Sequence, residues 1–194
     1  DLYLMYLLVK RMLDIVIIIV LVGVLIIPIL IIFFILKIIS KDSVIYYSDR
    51  VGKNNRIFKM PKFRTMKSGA PEVATHLLKN ADTHTTKIGK FFRKTSLDEL
   101  PQLWSVIKGD MTLLGPRPAL YNQYDLIKLR TSNGVEKLTP GITGWAQING
   151  RDEISIEQKV QFDTEYLDRR SVLFDLWILF KTFIQSVLRR NISH

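Results

Sequence analysis

Cysteine is absent from this 194-residue chain. Its absence excludes a disulfide framework, a thiolate zinc site and a thiol nucleophile, and it fits a reducing compartment. Histidine is scarce: His76, His84 and His194 share no ligand spacing, and the first two lie in a polar stretch, where solvated loop histidines are the plain reading. With neither ligand type clustered, a bound metal is expected to be a hard, oxygen-ligated ion such as Mg2+. No internal repeat or low-complexity tract occurs. Charge is missing from one long segment, since residues 12–36, MLDIVIIIVLVGVLIIPILIIFFIL, carry only Asp14.

That segment holds much of the 47% hydrophobic content, which is high for a wholly soluble domain of this size. It exceeds the roughly 7–15 apolar residues of a secretory signal, and its exit, FFILKIISK, offers no small-residue cleavage site, so it is expected to be retained. As one helix it would extend roughly 37 Å, enough to cross a hydrocarbon core of about 30 Å. Pro28 removes a backbone donor in mid-run and favours a bend. Lys10 and Arg11 precede the run, and Lys37 and Lys41 follow it. Basic residues at both flanks place both ends in the cytoplasm. A kinked span and a bent helix that re-enters on one side both remain open at this level.

Beyond Lys37 the pattern is that of a mixed domain. The two bases and two acids before residue 37 cancel, so the whole net charge of +10 lies in the remainder. Such a balance implies anionic company: nucleic acid, acidic lipid or a phosphorylated small substrate. SVIYYSDR (43–50) and RIFKMPKFRTM (56–66) flank V-G-K-N-N as arms of a β-hairpin, with Pro61 implying an edge or bulge. Residues 67–86 form a polar excursion. Helices are predicted from about Ser96 or Asp98 to Lys108 before Gly109, over Tyr121–Arg130, over Ser155–Arg169 with Ser155 and Gln158 as a capping box, and over Ser171–Arg190. The last has a stripe including Leu173, Leu176, Trp177, Phe180 and Phe183, with Asp175, Thr182, Gln185 and Arg189 facing away. The stripe suits either a core-facing or an interfacial helix.

Chemistry concentrates in TSLDELPQL (95–103), where Asp98 and Glu99 are adjacent acids in a basic domain. A capping box from Ser96 to Glu99 would account for the glutamate, though less well for the aspartate. In Gly115-Pro116-Arg117-Pro118 two prolines flank an arginine, which suits a rigid bidentate phosphate reader as well as a plain surface turn. Lys62, Arg64, Arg93 and Arg151 add cations at structured places.

Taken in order, KFRTM, TSLDELPQL, KGDMTLLGPRP, TPGITGWAQINGR and the aspartate of FDTEY resemble the bacterial sugar transferases, the monotopic polyprenyl-phosphate phosphoglycosyl transferases. The resemblance runs from KRMLDI to the final helix and matches the family's minimal form. It implies an α+β fold: a mostly helical cytoplasmic domain (40–194) with a small β-hairpin or sheet and amphipathic interfacial helices, behind a re-entrant membrane helix (1–39) bent near Pro28. It further implies transfer of a sugar-1-phosphate from a UDP-sugar to polyprenyl phosphate at the bacterial inner membrane, with release of UMP and with Mg2+ as cofactor.

By the same resemblance Asp98 is nucleophile and Mg2+ ligand, kept ionised by the helix start, and Glu99 is its helper. Arg117 would read the nucleotide or its phosphate, and Lys62, Arg93, Gln147, Arg151 and Asp163 would line the cleft. One departure is Ile27, where the family's membrane helix commonly has serine before the proline; a shallower bend is expected. Membrane lipid is an expected partner and nucleic acid is not; oligomeric state is open. The rival reading is a membrane-tethered, non-catalytic protein that binds nucleic acid or anionic lipid.

Overall fold

A computed structural model describes residues 2–39, 42–67, 69, 85–150 and 154–188. The polar excursion, including His76 and His84, falls largely outside the described residues, as do Arg151, Arg189, Arg190 and His194.

Helix α1, Leu2–Ile39, is helical through Pro28. Its buried residues are Asp14, Ile18, Ile32 and Leu36. Asp14 and Ile32, like Ile18 and Leu36, lie eighteen positions apart, which at about 3.6 residues per turn puts all four on one face. Ile18 packs with Met60, Leu103, Val106 and Met111, whereas Ile32 and Leu36 pack with Val44, Phe63 and Phe92. Strand residues Met60 and Phe63 thus serve the two clusters, and both halves of α1 rest on the same domain. The opposite face, with Val16, Ile19, Val20, Val24 and Ile27, is exposed.

The hairpin follows the expectation. Strands β1 (Ile45–Val51) and β2 (Ile57–Phe63) pair antiparallel from Ile45 opposite Phe63 to Val51 opposite Ile57. Pro61 sits opposite Tyr47 without interrupting the strand. In a two-stranded sheet each strand is an edge, so a missing N–H can be tolerated. Asn54 and Asn55 make the turn with positive φ, a conformation asparagine tolerates better than most residues.

Helix α2, Lys87–Lys94, is capped by the Thr86 hydroxyl, which accepts from Gly89 N at 3.0 Å; the sequence reading has no helix here. The expected helix after Ser96 divides into a 3-10 segment, Leu97–Gln102, containing Pro101, and helix α3, Leu103–Lys108, which ends at Gly109 with φ of 89°. Strands β3 (Thr112–Leu114) and β4 (Gly141–Thr143) form a short parallel pair, also unforeseen. Backbones meet so closely here that a Cβ on Gly141 or Gly144 would collide with the main chain of Gly115, which is why T-P-G-I-T-G carries glycine at both places.

Helix α4 is Tyr124–Ser132, starting three residues later than expected, and the single-turn α5 is Trp145–Ile148. Helix α6, Ile156–Arg169, has the predicted capping box between Ser155 and Gln158.

The final helix, α7 (Val172–Leu188), corrects the sequence reading of its polar side. Asp175 is buried, Thr182 shares a 2.9 Å hydrogen bond with Thr143, and Gln185 donates to the Ile148 carbonyl at 3.0 Å. Leu173, Trp177, Phe180 and Phe183 are the exposed side, Phe180 at 60%. Among the described apolar side chains of α7, Ile178 alone is wholly buried. Short polar side chains satisfy main-chain and hydroxyl groups inside, so the large apolar ones are left outside.

Four residues of α1 lock it to the domain. Lys10 Nζ meets Asp175 Oδ2 at 2.8 Å, and Tyr6 and Tyr166 bond the same carboxylate. Arg11 donates to the carbonyls of Val106 (2.6 Å) and Ile107 (2.9 Å), satisfying the C-terminus of α3. Asp14 accepts from the Thr112 hydroxyl and, at 3.2 Å, from Leu113 N at the start of β3.

Candidate active site

The chain reverses between α2 and the 3-10 segment at Ser96, whose φ of 56° is left-handed. A non-glycine residue there is uncommon and strained. The reversal sets Asp98 and Glu99 in the first turn of the 3-10 segment, beneath β2. Ser96 makes no side-chain cap, which corrects the expected capping box. Glu99 is used differently.

Two cations hold it. Lys62 Nζ, from β2, lies 2.9 Å from Glu99 Oε1, and Arg117 Nη2 lies 2.6 Å from the same oxygen, with Nη1 3.5 Å from Oε2. All three side chains are largely buried. Burial by itself would raise the Glu99 pKa, but the charges and bonds of Arg117 and Lys62 outweigh it and hold the carboxyl well below the usual range. Burial also lowers the Lys62 pKa, against the pull of Glu99 and with help from Arg117 and Arg50.

Asp98 is the opposite case. It is 8% exposed, and burial pushes its pKa up, with Glu99 adding to the rise and Lys62 and Arg93 opposing it. Ionisation is not assisted overall, contrary to the expectation from a helix start. Neighbouring carboxylates are thereby split: one clamped as an anion, the other buried and held less firmly in its charged form.

Of the sequence-predicted residues, Lys62, Arg93, Asp98, Glu99 and Arg117 share this site. Asp163 is placed elsewhere: 1% exposed, it accepts from Arg130 Nε at 2.9 Å and Nη2 at 2.7 Å. Its carboxyl pKa is raised by burial against the pull of Arg130. Gln147 lies in α5 with both amide atoms buried and without a hydrogen-bond partner, so no bond joins it to the acid pair. Arg64 turns away, donating to the Ser43 carbonyl at 2.8 Å and covering Tyr46. Arg151 lies outside the described residues.

Sequence reasoning passed over Arg50 and Arg130. Arg50, on β1, donates to Ser48 Oγ and to the Pro118 carbonyl, both at 3.1 Å, and its charge acts on Lys62. The D-R-V-G of the hairpin was its only signal, since an arginine on a strand reads as an exposed edge residue.

The sequence model of the family described as "Bacterial sugar transferase" matches residues 5–189. The chain belongs to the bacterial sugar transferase family. A UDP-galactose-lipid carrier transferase of Erwinia amylovora is 39% identical over 173 residues, covering 79% of this chain and 35% of that protein. The UDP-glucose:undecaprenyl-phosphate glucose-1-phosphate transferase of Escherichia coli is 40% identical over 162 residues, 79% of this chain and 35% of its own length. The exopolysaccharide production protein ExoY of Rhizobium meliloti is 38% identical over 180 residues, 84% of this chain and 78% of the relative. The chain therefore spans about a third of the first two relatives and most of the third. Among the described residues the family match falls on an α+β frame with one helix long and apolar enough to cross a membrane.

Proposed function

We propose that this chain transfers a sugar-1-phosphate from a UDP-sugar to a polyprenyl phosphate through a covalent intermediate on Asp98. The relatives' names supply the class of reaction. The observation that carries the assignment is the split between the two acids. Glu99, gripped by Lys62 and Arg117, is an orienting anion; Asp98, buried beside it with its ionisation opposed by desolvation, is the group left to react.

In the proposed sequence an Asp98 carboxylate oxygen attacks the phosphorus that bears the sugar. The bond from that phosphorus to the bridging oxygen breaks, and UMP leaves with the oxygen. A phosphate oxygen of the lipid then attacks the same phosphorus and releases the Asp98 carboxylate, leaving a sugar diphosphate on the lipid. Two displacements replace one transfer between two anions. Lys62, Arg93 and Arg117 offset the charge repulsion at each. Convergence of these cations on one acid pair supports a small phosphorylated substrate over a nucleic acid.

Asp98 suits Mg2+, a hard ion that takes one or two carboxylates and completes its shell with phosphate and water. Asp98 is the residue that would hold it, and the ion would supply charge neutralisation at the diphosphate. Both halves of α1 rest on one domain, which supports a re-entrant helix rather than a span. The exposed aromatic side of α7 supports contact with the lipid interface at the cytoplasmic face of the inner membrane.

The deciding experiment mixes purified protein, Mg2+ and a panel of UDP-sugars without lipid. A burst of UMP and an intact-mass gain of one phosphosugar on Asp98 are expected, and Asp98→Asn should lose both while staying folded. An adduct on Glu99, or UMP release that requires polyprenyl phosphate and leaves no covalent species, would favour direct transfer.

A further inference from the structure

The loop that carries Arg117 cannot hold itself. Two of its residues, Pro116 and Pro118, have no N–H, and every carbonyl from residue 116 to 119 is instead met by a donor from elsewhere. Pro116 O accepts from Gly141 N (2.9 Å), Arg117 O from Arg130 Nη1 (2.8 Å), Pro118 O from Arg50 Nη1 (3.1 Å) and Ala119 O from Val51 N (2.9 Å). Residues 111–116 and 118–120 are buried, and Arg117 alone in that stretch is partly open. The loop behaves as a rigid mount with one side chain protruding.

Among the four donors, only Arg130 acts on Arg117 itself, and it is anchored from behind. Its Nε and Nη2 are fixed by Asp163, leaving Nη1 directed at the carbonyl. A guanidinium can serve a carboxylate and a carbonyl at once because its donors form a planar fork; an ammonium has no such geometry. Asp163 lies thirty-three positions along the chain from Arg130, on α6, so the pair also ties α4 to α6.

The geometry points to Arg130, backed by Asp163, as a positioning residue that sets where the Arg117 guanidinium stands relative to Glu99. This rests on the proposed transferase reading, and it gives Asp163 a role other than contact with substrate. A buried ion pair on two helices has a simpler use, holding the fold together, and the test separates the two.

Arg130→Lys and Asp163→Asn are each made in the wild-type chain and in an Arg117→Ala background, with thermal melts and with kcat/KM for the UDP-sugar measured by UMP release. If Arg130 acts through Arg117, either substitution should lower kcat/KM about 10-fold in the wild-type background and less than about twofold where Arg117 is already gone. A shift in melting temperature alone should be the same in both backgrounds. Multiplicative losses in kcat/KM, or wild-type kinetics in both variants, would reduce the pair to a structural tie. Should Arg130→Lys not fold, Asp163→Asn, which keeps the shape and an acceptor oxygen, carries the comparison. Failure of the unmodified protein to release UMP from any UDP-sugar would overturn the transferase reading and the positioning role with it; turnover that ignores Arg130 and Asp163 overturns only the latter.

Discussion

Arg117 straddles the carboxylate of Glu99, with Nη2 2.6 Å from Oε1 and Nη1 3.5 Å from Oε2, while Lys62 holds Oε1 from β2 at 2.9 Å. Glu99 therefore sets the position of both cations. Replacing Arg117 by lysine keeps a charge and loses the fork. The nucleotide step should weaken by about 1–3 kcal/mol with folding retained, read as kcat/KM for the UDP-sugar. Unchanged kinetics would reduce Arg117 to a structural partner of Glu99.

Stability should move in opposite directions at the two acids. A carboxyl whose folded pKa is raised, as at Asp98, destabilises the fold when ionised; that cost is absent below the unfolded pKa and fully present above the folded one. Asp98→Asn should therefore raise the melting temperature at neutral pH and have little effect in acid. Glu99, whose pKa is depressed, contributes stability above its unfolded pKa and loses it as pH falls through the folded value. Glu99→Gln should melt earlier at neutral pH. Its removal also takes away a charge that raises the Asp98 pKa and frees Lys62, whose charge lowers it, so the acid limb of any residual activity should shift to lower pH.

An apolar helix with one acid invites a simple improvement that should fail. Asp14→Leu leaves residues 12–36 without a charge but strands the Leu113 N–H and the Thr112 hydroxyl in the interior. A loss of about 1–3 kcal/mol is expected, visible as an earlier melt in detergent. A stabilised variant would mean that α1 docks through its aliphatic contacts alone.

Because the chain has no cysteine, topology can be read without background. Met5→Cys and Asp42→Cys, both at exposed positions, should be labelled by an impermeant maleimide only from the cytoplasmic side. Periplasmic labelling of residue 5 would establish a span and overturn re-entry.

Local rules served well where local forces decide. The hairpin, the Ser155–Gln158 box and the stop at Gly109 were legible because alternation, capping and left-handed glycine act over a few residues. They misled at Ser96, where the cap pattern is present but the left-handed backbone turns Glu99 toward cations from β2 and the Arg117 loop. The parallel pair of β3 and β4 escaped notice because three-residue strands joined over a long interval leave no periodic signal. On α7 the apolar stripe was legible, with core and interface both open as its surroundings, but the polar side was misplaced: a rule calibrated for water sends polar residues outward, whereas Asp175, Thr182 and Gln185 point in. Lys62, Arg93 and Arg117 could be nominated one by one, but their convergence on two acids is a property of the assembled fold.

The contacts of Lys10 with Asp175 and of Asp14 with Leu113 set an order of events during synthesis. The partner residues emerge 165 and 99 positions after the ones they secure. At about 5–20 residues per second, Lys10 waits roughly 10–30 s for its carboxylate. Throughout that interval α1 is a long hydrophobic helix with no domain to lie on. Lipid or a targeting factor must shelter it first, and the domain must afterwards close over a helix already in place. Substitutions at residues 10, 14 or 175 should therefore lower the yield of assembled protein in cells more than they lower the melting temperature of the molecules that succeed.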